Sequence, residues 1–385
     1  MSRPSSDCLH AECRIAERPI TERTISEYPS AARSSAGFAF GVRLAGRVLA
    51  LFLISVMGTA CVSHAGFRQK YLQSRQDLLN GNWDAAARKY MASKKQYGKR
   101  DRVMYWLNLG TLQHYAGQWK QSQDNFVKAE RAIQDLFTKS ITAEASKYTV
   151  SETLAPYEGE DFEKVLLYYY TALNNVSEGR VSDALVEARR ADEFLKKIRV
   201  KYDKDKDLST LYKQDAFMLW LVGLFYEVEG SYSDAFLAYR RAFKVYRSSY
   251  RKLFRTPPPS YVAADVMRAG RKAGLESDAL AFAQRYNLPL DTPQEQEAEV
   301  IVIHGGGEAP FKRQTFFTAP MPDGYILRIA FPQMQLQKGQ VFTSFAEIAG
   351  QSVETEMAEP VSLIALKNFK HQLPGLRARA IVRAT

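Results

Sequence analysis

The sequence predicts a mainly α protein, an interrupted α-solenoid followed by a small antiparallel β-sheet and a C-terminal helix. Three observations carry that expectation. Apolar residues recur at helical spacing from Phe67 to about Gln284. A glycine-led pattern repeats within that stretch. Beyond Thr292 and Pro293 the chain turns to β-branched runs punctuated by Gly and Pro. With 385 residues, 46% of them hydrophobic, there is enough apolar material for two or three domains.

Residues 1–42 show no apolar periodicity and read as a disordered leader or an over-extended gene start. Residues 43–60 have the three parts of a signal peptide: basic Arg43 and Arg47, an apolar run Val48 to Met57 broken only by Ser55, and small Gly58, Thr59 and Ala60. Ten apolar residues make a helix of about 15 Å, half of the roughly 30 Å hydrocarbon core, so the segment is a signal to be cut and not a permanent span. Met57 to Cys61 resemble a lipobox, departing from it at Gly58, where Leu or Val is usual. That resemblance implies cleavage before Cys61 and acylation of its thiol. Val62 is not Asp, which by similarity to the enterobacterial sorting rule implies the periplasmic face of the outer membrane. Cleavage would also remove Cys8 and Cys13, leaving only the lipid-bearing thiol, a state suited to an oxidising compartment.

Residues 61–290 carry the repeats. The pattern is a glycine, an aromatic or apolar residue two on, a small residue five on, and an aromatic or small residue nine on. The copies are Gly81/Trp83/Ala86/Tyr90, Gly117/Trp119/Ser122/Phe126, Gly179/Val181/Ala184/Ala188 and Gly230/Tyr232/Ala235/Tyr239, with Gly274/Ala279/Ala283 as a fifth that lacks the aromatic. Glycine ends a first helix in a left-handed turn, where a Cβ would cost energy. The small residue lets the second helix approach the first, and the residue nine on shares that face and fills the gap. Trp106, Leu109 and Gly110 supply a WxxLG start, followed more loosely by Val222, Gly223 and Tyr226.

These residues resemble the tetratricopeptide-repeat (TPR) family over roughly residues 67–284. The chain departs from it in spacing: the glycines lie 36, 62, 51 and 44 residues apart, where a regular array repeats every 34 or so, so inserts are expected in 133–160 and 193–214. With Glu187 to Ala191 (EARRA), the chain is also similar to a family of proteobacterial TPR lipoproteins of the cell envelope. The resemblance implies a concave groove lined by the first helix of each repeat, with Met104, Leu107, His114 and Tyr115, then Leu166 and Tyr169, then Phe217, Trp220 and Glu227. Such side chains suit a peptide or partner helix. The other reading of them is core, covered by the inserts or the sheet. The acids between Glu158 and Glu163 read as a helix start, where carboxylates satisfy free N–H groups.

Residues 291–360 read as a small β-rich domain, with strands expected at Glu299–His304, Tyr325–Phe331 and Val341–Ile348 and an alternating Val353/Thr355/Met357. Residues 361–385 read as a helix bent near Pro374. It stops at Thr385 without a cap, which together with the family resemblance implies truncation. His304 to Gly307 (HGGG) resemble the oxyanion loop of esterases, but no GxSxG elbow exists in the sequence. There is no HExxH, no P-loop and no dinucleotide fingerprint, so no metal and no cofactor is expected. The net charge of +11 is spread among interleaved signs, as in Asp203 to Asp207, and the basic run Lys367 to Arg383 reads as a helix face, so no nucleic-acid partner is expected.

The expected function is therefore non-enzymatic: a lipid-anchored periplasmic scaffold, held in the outer membrane through Cys61, that binds an envelope protein or peptide. The alternative is a cell-envelope esterase or peptidoglycan-active enzyme using the C-terminal region.

Overall fold

Left-handed glycines set the helical hairpins of this chain. The computed structural model describes residues 74–142, 156–201, 214–289, 299–307, 309–321, 324, 326–336, 344–348 and 351–382. Cys61, the signal segment and the leader lie outside these residues. Gly81, Gly117, Gly179, Gly230 and Gly274 all have φ between +70° and +77°. After each one the next residue donates its N–H back across the turn: Asn82 to Asp77, Gln118 to Gln113, Arg180 to Asn175, Ser231 to Tyr226 and Leu275 to Gly270, at 2.8–2.9 Å. This is the bond that closes a Schellman turn. The fifth copy, weakest in sequence, is as well formed as the others.

The helices so delimited are α1 (74–79) and α2 (Trp83–Ala92), α3 (Arg102–Tyr115) and α4 (Trp119–Thr142), α5 (Asp161–Ser177) and α6 (Val181–Lys201), and α7 (Ala216–Val228) and α8 (Tyr232–Val245). A π-helical turn (Tyr246–Tyr250) and the short α9 (Arg251–Phe254) precede the last hairpin, α10 (Ser260–Lys272) with α11 (Glu276–Tyr286). The small residue five after each turn glycine is fully buried: Ala86, Ser122, Ala184, Ala235 and Ala279 all have zero exposure. Close approach is the reason. A Cβ on Gly110 would fall 2.9 Å from the Phe126 ring, and one on Gly223 only 2.5 Å from Tyr239. The result is a TPR-like array of helical hairpins.

The expected inserts are in part helix. α4 runs for 24 residues and α6 for 21, so their C-terminal turns absorb much of the surplus spacing; the remainder, 143–155 and 202–213, lies outside the described residues. The acids before α5 do cap it, since Glu163 Oε2 accepts the Glu160 N–H at 2.8 Å.

The β-rich part consists of two antiparallel hairpins, β1 (Phe311–Pro320) with β2 (Ile326–Gln335) and β3 (Phe345–Ile348) with β4 (Gln351–Glu354). Glu299–His304, read as a strand, has no sheet partner among the described residues, whereas Phe311–Pro320, not read as one, pairs along its full length with β2. The helix α12 (Val361–Val382) begins where expected and continues through Pro374. No helix among the described residues is long and apolar enough to cross a membrane.

The C-terminal part lies on the helical array. Glu356 accepts the Ser260 N–H at 3.0 Å, Tyr246 Oη donates to Ala358 O at 2.9 Å and Tyr250 Oη to Glu359 at 2.9 Å. At the other end of the return, Asn368 and Gln372 of α12 donate to Glu160 at 3.1 and 3.2 Å, and Lys312 of β1 pairs with the same carboxylate.

Candidate partner-binding ledge

The first helices of successive hairpins, α3, α5, α7 and α10, are joined by rings. Tyr115 stands against Tyr170, Tyr170 against Tyr169, Tyr169 against Phe217, Phe217 against Trp220, and Trp220 against Tyr261, with centroids 4.9–6.0 Å apart. Trp83 stacks on Tyr115 and extends the ladder to α2. Offset and edge contacts of this kind favour a fixed geometry between helices that share no backbone bonds.

Of the residues expected in a groove, Tyr115 is the most open, with 38% of its surface exposed. Met104, His114, Leu166, Tyr169 and Glu227 are half-buried. Leu107, Phe217 and Trp220 are buried in the core, so these three present no surface to a partner. Their physical role is packing between hairpins, which was the other reading of them.

His114 serves an internal chain of hydrogen bonds. Its Nδ1 lies 2.7 Å from Asn174 Oδ1, Asn174 Nδ2 donates to Ser122 Oγ at 2.9 Å, and Ser122 Oγ donates to Gly110 O at 2.7 Å. The amide's direction makes Nδ1 a protonated nitrogen of the ring. Burial lowers the His114 pKa, with the Asn174 bond opposing.

At the α10 end the ladder meets a charged cluster. Trp220 Nε1 donates to Asp265 Oδ2 at 2.7 Å, and Arg268 pairs with Asp265 at 2.8 Å and with both Glu227 oxygens at 2.8 and 2.9 Å. Tyr239 Oη also donates to Glu227, at 2.9 Å. Burial pushes Asp265 up to about 6, against the opposing pull of Arg268 and the Trp220 bond. For Glu227 the balance reverses: burial raises its pKa, but the hydrogen bonds and charge of Arg268 outweigh it and leave the group below its ordinary value. Arg268 and Asp265 escaped the sequence reading, although their i,i+3 spacing on an amphipathic helix could have placed them on one face.

One further acid reaches Arg268 from outside the array. Glu299 pairs with its Nη1 at 3.2 Å. From there residues 299–307 leave α10, Ile303 packs against the main core, and Gly305 passes so close to Tyr115 that a Cβ on it would lie 2.7 Å from the phenol oxygen. The segment thus touches both ends of the ladder.

His304, singled out for the HGGG run, has Ser344 Oγ 2.7 Å from its Nδ1. The pair is exposed, and among the described residues no acid orients the ring from the other nitrogen, as the third member of a hydrolytic triad would.

The class of this chain, a TPR-like array closed by its own C-terminal part, rests on its five glycine turns and the small residues buried after them. Compared with the known protein families and with the curated proteins, the chain matches none. Among solved structures it is similar to the apo form of RapI, at 11% identity and a TM-score of 0.41, covering 56% of this chain and 51% of RapI, so it spans about half of that protein. It is also similar to the MamA protein, at 17% identity and a TM-score of 0.34, over 57% of this chain and 96% of that one. BtubC from P. vanneervenii gives 12% identity and a TM-score of 0.39, over 69% and 97%.

Proposed function

We propose that this protein is a lipid-anchored scaffold at the periplasmic face of the outer membrane, which holds an envelope protein or peptide on its ledge and catalyses no reaction. The observation that carries the scaffold reading is half-open Tyr115, at one end of a ring ladder whose buried members fix the four first helices and whose other end is a salt-bridged cluster. Aromatic anchors beside fixed charges are the material of protein recognition. The anchor rests on the lipobox-like Met57 to Cys61 and its apolar run. Several acyl chains at about 0.8 kcal/mol per buried CH₂ would hold the chain far more firmly than one.

The test is membrane fractionation and mass spectrometry of the expressed protein. Cys61→Ser is expected to leave the outer-membrane fraction and to lack the acyl mass carried by the wild type. Affinity capture should recover a partner with the wild type and lose it with Tyr115→Ala at unchanged melting. A Cys61→Ser protein that stays in the membrane fraction would sink the anchor, and capture that is indifferent to Tyr115 would sink the ledge.

A further inference from the structure

Residues 299–307 occupy the ledge without joining any regular structure. The segment enters at Arg268 on α10, through Glu299, and reaches Tyr115 on α3 at Gly305. Six residue steps of extended chain cover about 20 Å, so the segment has the reach to lie across α7 and α5 between these ends. Exposure alternates along it: Val300 and Val302 are 64% and 50% exposed, against 38% for Ile301, while Ile303 packs inward on the core. A β-branched run with one face in water and no strand beside it among the described residues uses its own preferences poorly. Its hold is also light. Its described contacts include an ion pair whose Glu299 carboxylate is 49% exposed, an inward isoleucine, a glycine passing a phenol, and the exposed His304–Ser344 bond.

The receiving side, in contrast, is built. Arg268 is held in place by Glu227 and Asp265 whether or not Glu299 is present, so its remaining N–H groups form a preset cation site. Building on the scaffold reading, we propose that the ledge receives an extended segment of a partner protein. That segment carries an acid, a branched aliphatic residue four positions on, and a glycine two beyond it. Residues 299–305 are the resident stand-in for it in the free protein. The partner then competes with the chain's own segment, and its apparent affinity is reduced by the fraction of time the ledge is closed.

The probe is a fluorescent peptide copying residues 297–307, titrated by anisotropy against the full chain and against a chain with Glu299→Ala and Ile303→Ser. The doubly substituted chain should bind it up to about tenfold more tightly than the wild type, the gain expected when a segment closing the site about nine times in ten is loosened. Adding Tyr115→Ala should remove the gain. Equal binding to both chains, or binding to neither, overturns the proposal. If the double variant melts below the assay temperature, the wild type decides. Hydrogen exchange of residues 299–307, followed by mass, should rise when unlabelled peptide is added in excess, and unchanged exchange overturns the proposal. Partner capture by the wild type together with a failed peptide experiment would leave the scaffold standing and remove only the stand-in.

Discussion

Gly223 has no Cβ because Tyr239 occupies the place. A methyl there would lie 2.5 Å from the ring, and the ring cannot retreat: it has no exposed surface and its hydroxyl is bound to Glu227. Gly223→Ala is therefore expected to cost roughly 1–3 kcal/mol as overpacking. Gly81 is the contrasting case, with no atom within 4 Å of a Cβ but a φ of +74°. Gly81→Ala should cost only about 1–2 kcal/mol, from backbone strain. Urea unfolding of both variants measures these costs, and no loss for Gly223→Ala would mean that hairpin spacing is not set by the Gly223–Tyr239 contact. The turn role was legible in sequence, because a left-handed turn leaves a glycine at a fixed offset from a small or aromatic residue, whereas Gly223 showed there only as a loose match to the repeat start. For Trp220 the sequence left groove and core both open. Its indole is engaged by Asp265, 45 positions away, and nothing local announces such a partner.

Among the elements, α5 is one that holds the C-terminal part. Its N-terminal Glu160 stands at the positive end of the helix, its N–H is bound by Glu163, and its carboxylate gathers Lys312, Asn368 and Gln372 from β1 and α12. Glu160→Ala removes three partners at once and should leave the helical hairpins folded. Amides of α12 and of the β1–β2 hairpin are then expected to exchange faster by at least tenfold, with those of α7 and α8 unchanged. Uniform loss of protection across the chain would show instead that Glu160 serves global stability. The helices were readable in sequence because apolar periodicity and turn glycines act over a few residues. The strands were less so. Glu299–His304 has the composition of a strand and lies on the ledge, while Phe311–Pro320 mixes Lys312, Arg313 and Gln314 with exposed Phe316 and Phe317 and shows no inward face even when paired with β2. Tertiary placement decided both.

Over the whole molecule, several carboxyl groups are buried in the folded chain, among them Glu359 where the C-terminal part returns to the array, and burial pushes their pKa up. Asp215 caps α7 through the Met218 N–H at 2.8 Å, and burial raises its pKa to about 6, against the pull of that bond, of the Phe217 N–H and of Tyr250. Glu359, in the segment leading to α12, is pushed well above the ordinary carboxylate range by burial and then by the charge of Asp215, with the Tyr250 bond opposing. Asp265 is likewise raised to about 6 by burial. Unfolded carboxyls titrate near 4. Above that pH the folded chain binds more protons than the unfolded one, so stability falls as pH rises, at up to about 1.4 kcal/mol per unit for each such group. For Asp215 and Asp265 the fall runs from about pH 4 to about pH 6, and for Glu359 it continues higher. Glu227, held below its ordinary value by Arg268, acts in the opposite sense at the acid end. Glu359→Gln keeps an acceptor for Tyr250 and cannot ionise. Its melting temperature is expected to exceed that of the wild type, by a margin that widens from pH 5 to pH 8. A constant margin, or a less stable variant at pH 8, would mean that the carboxyl of Glu359 carries its charge in the folded protein and that the clasp is not proton-dependent.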